Sequence, residues 1–244
     1  DVHNAFNEGI VTGLREAFDA LATNPDVRVV VLTGRGKSFS AGADLNRMRQ
    51  MGANSPEENR ADALRMAETF DKLNTLPMPT IAKVQGSAYA GALGLIGACD
   101  IAVGVDTAQF AVTEVRLGLI ASAISPYVIG AIGPGAARRY FQTAERFDAA
   151  EAARIGLLHE AVPEADLDAT VEGVVSNILK NAPASLAACK TLIRETVGPV
   201  SQELREETAT RIADIRATDE GREGITAFFE KRKPAWALPQ GTDR

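Results

Sequence analysis

The chain has 244 residues, of which 45% are hydrophobic and 24% charged; this is the composition of a folded globular protein and excludes disorder along its whole length. Its 26 lysines and arginines against 32 aspartates and glutamates give a net charge of −6 at pH 7. This acidic balance argues against general nucleic-acid binding, which needs a basic face.

No apolar run approaches the ~20 residues that a membrane-spanning helix needs, and the sequence shows no secretion or lipidation signal. Cys99 and Cys189 are too few for a disulfide framework, which agrees with a reducing compartment. We therefore expect a cytoplasmic protein that binds neither membrane nor nucleic acid. The chain begins at Asp1 rather than at a methionine, and we expect residues of a longer protein to precede it.

The N-terminal part of the sequence predicts alternating helices and strands. Apolar residues at helical spacing predict a helix over 4–22, capped by Asn4, and a β-branched run predicts a strand over 27–33. A serine cap, an early proline and a glutamate three residues on, at 55–58, predict a helix that runs to about Leu76. Further strands are predicted over 80–84, 101–105 and 109–113.

The C-terminal part begins with the same alternation and then changes. Ser125 and Pro126 open a helix, and Asp148 and Glu151 form a capping box before a short helix that Gly156 ends. The last predicted strand lies over 157–162. Beyond it the pattern predicts helices alone, over 164–181, 185–197 and 201–231.

This change of pattern predicts an α/β core over residues 1–163 and a helical region over 164–244. The C-terminal helices carry apolar stripes, for example Leu167, Val171, Val174 and Ile178. Because such a stripe is usually covered by a packing partner, we expect the protein to form a homo-oligomer.

Several familiar motifs are incomplete in this sequence. Gly36-Lys37-Ser38 follows a predicted strand, but Val31 stands where a phosphate-binding loop needs its first glycine. Ser40 lacks the first glycine of a nucleophile elbow. Neither His3 nor His159 has a companion at triad-like or metal-like spacing. The sequence therefore favours neither nucleotide hydrolysis, serine hydrolysis nor a zinc site.

Two loops of small residues carry the stronger signal. One, over 39–45, follows a predicted strand; the other, over 85–93, follows another strand and opens a helix at Gly91. Small side chains leave the backbone N–H groups uncovered, and the helix start adds a positive dipole end. Two such N–H groups that converge would form an oxyanion hole for a thioester carbonyl.

Short motifs spread along almost the whole chain resemble the enoyl-CoA hydratase/isomerase (crotonase) superfamily, and most of all its bacterial methylglutaconyl-CoA hydratases. They are HNA at 3–5, AGAD at 41–44, ACDI at 98–101, TEVRLG at 113–118, AERF at 144–147, GLL at 156–158 and FFEKR at 228–232. The resemblance implies an α/β, ClpP/crotonase-like fold of repeated β-β-α units, with strands upstream of His3. It also implies a C-terminal helical region that forms trimers or hexamers built from two trimers.

The resemblance further implies a set of site residues. Ala43 and Gly91 would donate the two oxyanion N–H groups, and Glu114 would be the catalytic acid–base. Substrate contacts are implied for Ala41, Asp44, Leu45, Gly94, Ser122, Tyr127 and Lys231, the last near the coenzyme A phosphates. Coenzyme A is part of the substrate, so we expect neither a separate cofactor nor a metal.

One position departs from the family pattern. Ordinary hydratases carry a second glutamate where this chain has Gly94, so three mechanisms remain open. Glu114 acts alone, or Ser122, Ser125 or Tyr127 supplies a second group, or a carboxylate of the substrate orients the water.

Three functions stay open for the same reason. The segment 120–127 favours hydration of a 2-enoyl-CoA, with 3-methylglutaconyl-CoA as a candidate substrate. The alternative is a Δ3,Δ2-enoyl-CoA isomerase with Glu114 as its single base. A non-catalytic binding or structural relative is the third reading.

Overall fold

The structure, a computed structural model, describes residues 3–44, 54–196, 214 and 218–236. The described strands form two four-stranded sheets. The strands of the first sheet are parallel and lie in the order β1 (Val30–Thr33), β3 (Thr80–Val84), β5 (Ile101–Val105) and β8 (Glu160–Val162). Those of the second lie in the order β2 (Ser38–Ser40), β4 (Ser87–Tyr89), β6 (Gln109–Ala111) and β7 (Phe147–Asp148), and only the β6–β7 pair is antiparallel.

Strands β1 to β6 alternate between the two sheets, and a helix follows each of the pairs β1-β2, β3-β4 and β5-β6; β7 stays in the second sheet and β8 returns to the first. The helices are α1 (Glu8–Ala22), α2 (Pro56–Thr75), α3 (Gly91–Ala98), α4 (Ser125–Thr143), α5 (Ala149–Ile155), α6 (Leu167–Leu179), α7 (Pro183–Glu195) and α8 (Asp219–Phe229). Short 3-10 helices span Glu114–Leu117 and Glu164–Asp166. The predicted α/β class is therefore confirmed, and the units β1-β2-α2 and β3-β4-α3 show the predicted β-β-α repeat.

Two helix starts form as the sequence predicts. Ser55 Oγ accepts a hydrogen bond from Glu58 N–H at 3.2 Å, and Glu58 Oε2 accepts one from Ser55 N–H at 2.8 Å, so the capping box of α2 is complete. At α5, Asp148 Oδ1 accepts from Glu151 N–H at 2.8 Å, and Gly156 ends the helix with a φ of 92°.

The predicted start of the first helix is wrong. Helix α1 begins at Glu8, because Asn7 rather than Asn4 caps it: Asn7 Oδ1 accepts a hydrogen bond from Ile10 N–H at 2.9 Å. Asn4 has a left-handed φ of 54°, and its side-chain N–H₂ donates to the carbonyls of Arg35, Ser38 and Phe39. The Asn4 side chain therefore ties the N-terminal segment to β2 instead of starting a helix.

Helix α3 lies at the centre of the core, in contact with α2, α4 and the strands β3 and β4. Small residues allow this close approach: a Cβ on Gly97 would lie 3.0 Å from the carbonyl carbon of Tyr127 in α4. The fully buried side chains around it are large and apolar and include Phe70, Leu73, Ile81, Leu93, Ile96 and Phe110. The N-terminus of α3 is thus held rigidly where the second sheet ends.

After β8 the described part of the chain contains only helices, and these pack back on the first sheet. Lys83 of β3 forms an ion pair with Asp168 of α6. Asp100 holds α7 through Lys190, whose Nζ lies 2.7 Å from its carboxylate. The predicted helix over 201–231 lies mostly outside the described residues. Its C-terminal part is described and contains α8. Among the described helices, none combines the length and apolar character that crossing a membrane requires.

Candidate active site

A cavity of about 680 Å³ lies between α2, the N-terminus of α3 and the segment after β6. Ala43 from the first small-residue loop, Gly91 from the second and Glu114 all line it. The structure therefore brings together three residues that are far apart in sequence and that the family resemblance singled out. Most of the remaining wall is apolar and consists of Phe6, Met66, Phe70, Ala90, Leu117, Leu119, Ile120, Ala121, Ala123 and Ile124.

The backbone N–H of Ala43 is left available by the strand pairing around it. Phe6 N–H donates to Gly42 O at 2.7 Å, and Asp44 N–H donates to Phe6 O at 3.1 Å, which makes a parallel bridge between Phe6 and Ala43. In such a bridge the paired residue turns its own N–H away from the partner strand. No hydrogen bond within the described part of the chain uses the N–H of Ala43.

Gly91 is the first residue of α3, so its N–H belongs to the helix-start donors that have no partner within the helix. The residue before it, Ala90, has φ 51° and ψ −124°, a strained conformation for a residue with a side chain. Ala90 N–H donates to Ala111 O at 2.9 Å, which helps to hold this turn. A Cβ on Gly91 would lie only 3.2 Å from Phe6 Cε2, so the glycine keeps the entrance to its N–H open.

Glu114 begins the 3-10 helix that follows β6. Its Oε2 atom is buried and has no hydrogen-bond partner among the described residues. Burial raises the pKa of Glu114, and the backbone N–H groups of Glu114 and Thr113 act in the opposite direction. A carboxyl group with a raised pKa at the wall of a cavity is suited to exchange protons with a bound molecule.

Gly94 does not reach the cavity, although we expected it to contact the substrate. It is buried beneath Ile124 and Phe70, and a Cβ on Gly94 would lie 2.9 Å from Ile124 Cβ and 2.9 Å from Phe70 Cε1. Ile124, not Gly94, lines the cavity at this point. Gly94 is therefore not part of the cavity wall, and its expected contact with the substrate stays a prediction that this packing does not favour.

Ser122 does line the cavity, and its hydroxyl is exposed. Tyr127 lies behind the wall, with its ring 6.0 Å from that of Phe70, and burial followed by the charge of Asp71 raises its pKa. Ser125 donates its hydroxyl hydrogen to Ser122 O at 2.8 Å and is a helix-start residue rather than part of the wall. Only Ser122 of the three suggested second groups meets the cavity.

The other predicted contact residues are spread out. Ala41 is exposed and donates its N–H to His3 O at 3.0 Å, and Asp44 holds the bridge to Phe6, but neither lines the cavity. Lys231 is exposed at the end of α8, with a left-handed φ of 55°, and is not part of the cavity of this single chain. Leu45 lies outside the described residues.

The sequence did not indicate that α2 contributes to the cavity wall. Asn59, Asp62, Met66 and Phe70 all line the cavity and lie on one stripe of the helix, at spacings of three and four residues. The spacing was visible in the sequence, but polar residues on a stripe usually face solvent, so nothing marked this stripe as part of a site.

No metal site is formed by the described residues, among which no group of three or more His, Cys, Asp and Glu side chains comes together. His159 has a structural role, since its Nδ1 accepts a hydrogen bond from Ala102 N–H at 3.1 Å and so joins β8 to β5.

An alternating two-sheet α/β fold with uncovered N–H groups and one buried glutamate at a common cavity defines an enzyme of acyl-thioester chemistry. Comparisons with known proteins support this class. The enoyl-CoA hydratase/isomerase family profile matches residues 1–239. The crystal structure of an enoyl-CoA hydratase from Shewanella pealeana is 43% identical, has a TM-score of 0.94, and the match covers 97% of this chain and 89% of that one.

Two further relatives give the same result. An enoyl-CoA hydratase structure from Mycobacterium smegmatis is 33% identical with a TM-score of 0.91, and the match covers 97% of this chain and 91% of that chain. The crotonyl-CoA hydratase of Syntrophomonas wolfei is 31% identical over 237 residues, 94% of this chain and 88% of its own length. The chain belongs to the enoyl-CoA hydratase/isomerase family. The predicted superfamily, crotonase fold and enzyme class are confirmed; the finer similarity to methylglutaconyl-CoA hydratases stays a prediction.

Proposed function

We propose that the protein adds water to the conjugated double bond of a 2-enoyl-CoA thioester and forms the 3-hydroxyacyl-CoA, with 3-methylglutaconyl-CoA as the candidate substrate. The observation that carries the proposal is that Ala43, Gly91 and Glu114 line one cavity. Backbone N–H groups and a proton-exchanging carboxyl group are what this reaction needs, because it passes through an enolate whose charge lies on the thioester oxygen.

Ala43 and Gly91 bind that oxygen. Their N–H groups are free of partners in the described part of the chain, and the residues around them are small enough for the thioester to approach the backbone. Each fixed donor stabilises the developing oxyanion by about 3 kcal/mol. The strained turn at Ala90 and the bridge between Phe6 and Ala43 hold the donors in place before the substrate arrives.

Glu114 accepts and donates the protons of the reaction. As the ionised carboxylate it takes a proton from water while the water oxygen bonds to the β-carbon of the substrate. The protonated carboxyl group then delivers a proton to the α-carbon as the enolate collapses, which restores the carboxylate. One residue performs both transfers, because Ile124 fills the space beside Gly94. Ser122, a polar residue of the same wall, would hold the water.

The same packing around Gly94 favours a second candidate, a Δ3,Δ2-enoyl-CoA isomerase. Such an enzyme moves one proton between two carbons of the acyl chain and needs one base and no bound water. Glu114 beside an apolar wall meets that requirement as well. The two functions differ in whether water enters the product.

Turnover of a small substrate panel separates these functions. The wild-type protein and Glu114→Gln are assayed with 3-methylglutaconyl-CoA, crotonyl-CoA and a 3-enoyl-CoA. Hydration of either of the first two, lost in Glu114→Gln, supports the main proposal, and turnover of the 3-enoyl-CoA alone selects the isomerase. Acyl-CoA binding without any turnover would contradict both and support a non-catalytic binding or structural role.

We also propose that the active form is a cytoplasmic homo-oligomer, a trimer or a hexamer. Ile193 of α7 is 69% exposed, and Ile225 of α8 is 48% exposed, so the C-terminal helices carry exposed apolar side chains. In such an assembly Lys231 would lie near the coenzyme A phosphates, as the family resemblance implies. Light scattering after gel filtration measures the oligomer, and a monomeric active enzyme would contradict this part of the proposal.

A further inference from the structure

The cavity wall formed by α2 changes character along its length. Asn59 and Asp62, near the start of the helix, are polar, whereas Met66 and Phe70, one and two turns further, are apolar. At 1.5 Å per residue, Asn59 and Phe70 are separated by about 16 Å along the helix axis. The cavity therefore has a polar end and an apolar end.

The apolar end is the one that holds the thioester. The Phe70 ring centroid lies 6.3 Å from that of Phe6, and Phe6 Cε2 is 3.2 Å from the position of a Cβ on Gly91, the oxyanion donor. The polar end lies at the opposite end of the same helix stripe. A ligand bound through its thioester oxygen at Gly91 would thus extend towards Asn59 with a part remote from the reacting carbons.

Asn59 lines the cavity and carries an unpaired polar atom. Its Oδ1 atom is buried and has no hydrogen-bond partner among the described residues, so the side-chain amide gains a partner when it turns towards a ligand in the cavity. An unpaired buried polar atom is costly, and an apolar side chain of the same shape would avoid that cost. Asp62, one turn on, has a partner of its own, Arg65 at 3.2 Å.

We propose that Asn59 is a specificity-determining residue that hydrogen-bonds to a polar group on the distal end of the acyl chain. The site would then select acyl-CoA esters with a hydroxyl, amide or carboxylate tail over alkyl esters of the same length. This proposal rests on the proposed function only in taking an enoyl-CoA ester as the substrate.

The test compares substrates that differ only in the tail: hexenoyl-CoA, its terminally hydroxylated derivative and the corresponding dicarboxylic monothioester. In the wild type, kcat/KM is higher for a polar tail than for the alkyl tail. Asn59→Leu, which keeps the size and removes the hydrogen-bonding atoms, should lower this ratio about tenfold. Asn74→Leu, the same change in the same helix at a residue that does not line the cavity, should leave the ratio unchanged.

Two results would overturn the proposal. One is a ratio that Asn59→Leu does not change. The other is a rise of KM that is equal for all three esters, which would place Asn59 against the pantetheine common to them. Asn59→Asp, which keeps the shape and adds a charge, provides a second variant should Asn59→Leu fold poorly: it should discriminate against the carboxylate tail and spare the hydroxyl tail.

Binding of the corresponding saturated esters, measured by calorimetry, needs no chemistry at the double bond. If no variant turns over any enoyl-CoA but Asn59→Leu still removes the preference in binding, the proposed hydratase function fails and the specificity role of Asn59 stands. If turnover is normal and the preference is absent from the wild type, the hydratase function stands and the role of Asn59 fails.

Discussion

Ile124 occupies the space that a side chain on Gly94 would need. A Cβ on Gly94 would lie 2.9 Å from Ile124 Cβ, closer than real Cβ atoms approach their neighbours, and Phe70 blocks the other side at the same distance. Since Ile124 also lines the cavity, it presents an apolar surface where ordinary hydratases of this family carry a second carboxylate. Under the proposed function, the pair Gly94 and Ile124 would leave Glu114 as the acid–base of the site.

Gly94→Ala should lower the free energy of unfolding by about 1–3 kcal/mol, because overpacking a rigid core strains its neighbours. Chemical denaturation measures the change. Gly130→Ala, also in a helix but with open space around the new Cβ, is the matched control and should not destabilise. The cost of Gly94→Ala should shrink in an Ile124→Ala background, and equal costs in both backgrounds would mean that Ile124 does not fill this space.

Glu114→Gln should lower kcat about 10²–10⁴-fold, the range that general acid–base catalysis contributes. Glutamine keeps the size of the side chain and removes the exchangeable proton, so the affinity for a saturated acyl-CoA should be retained. Steady-state kinetics and calorimetry give the two quantities. Near-normal turnover in this variant would remove Glu114 from the mechanism.

The raised pKa of Glu114 predicts two pH dependences. The base must be ionised, so kcat should fall as the pH decreases through a value above the ordinary 4.5 of this carboxyl group. For stability, burial disfavours the ionised form: the contribution of Glu114 is fully present below the ordinary pKa and is lost as the pH rises through the raised one. The unfolding free energy of wild type relative to Glu114→Gln should therefore decrease over that window, and a constant difference would contradict a raised pKa.

Gly91→Val should lower kcat/KM about 10²-fold or more, because the new side chain would press on Phe6 and keep the thioester oxygen from the N–H of residue 91. Circular dichroism checks that the chain still folds. Gly13→Val, in α1 where the added Cβ meets nothing, controls for placing valine in a helix. Activity that survives Gly91→Val in a folded protein would exclude this oxyanion donor.

Asp100→Ala should cost about 3 kcal/mol of stability, because it leaves the largely buried Lys190 without its partner. The carboxylate also accepts hydrogen bonds from Thr80 N–H and Thr80 Oγ at 2.8 Å and 2.9 Å, which joins β3 to the loop before β5. Lys190→Met, which removes the charge and keeps an apolar stem, should cost less. Denaturation midpoints give both values, and an equal cost for the two variants would show that the unpaired charge is not the cause.

Local sequence signals predicted the parts of this fold that local chemistry determines. The capping box at Ser55, the cap that Asp148 gives to α5 and the helix end at Gly156 form because the residues that make them are neighbours in sequence. The predicted box at Asp148 is only half formed, because the Glu151 carboxylate accepts from Tyr140 and Arg154 instead. The start of α1 could not be predicted in the same way, because Asn4 and Asn7 are both good caps and contacts of Asn4 with β2 decide between them. Strands β2 and β4 were missed, because they lie in the two segments whose small residues indicate loops.

The candidate site shows the same difference between features that the sequence predicts and features that tertiary contacts determine. The residues at the oxyanion loops and Glu114 were predictable through the family resemblance, and the structure places them at one cavity. The packing of Ile124 over Gly94 joins positions 30 residues apart, and the polar end of the α2 stripe is recognisable only once the helix is seen against the cavity. These features depend on tertiary contacts that no local pattern contains.

A crystal structure of Glu114→Gln with crotonyl-CoA bound tests the central claim most directly. The account predicts that the thioester oxygen lies about 2.7–3.1 Å from both the Ala43 nitrogen and the Gly91 nitrogen, with residue 114 beside the α- and β-carbons. A thioester oxygen that contacts neither nitrogen, or an acyl group bound outside this cavity, would contradict it.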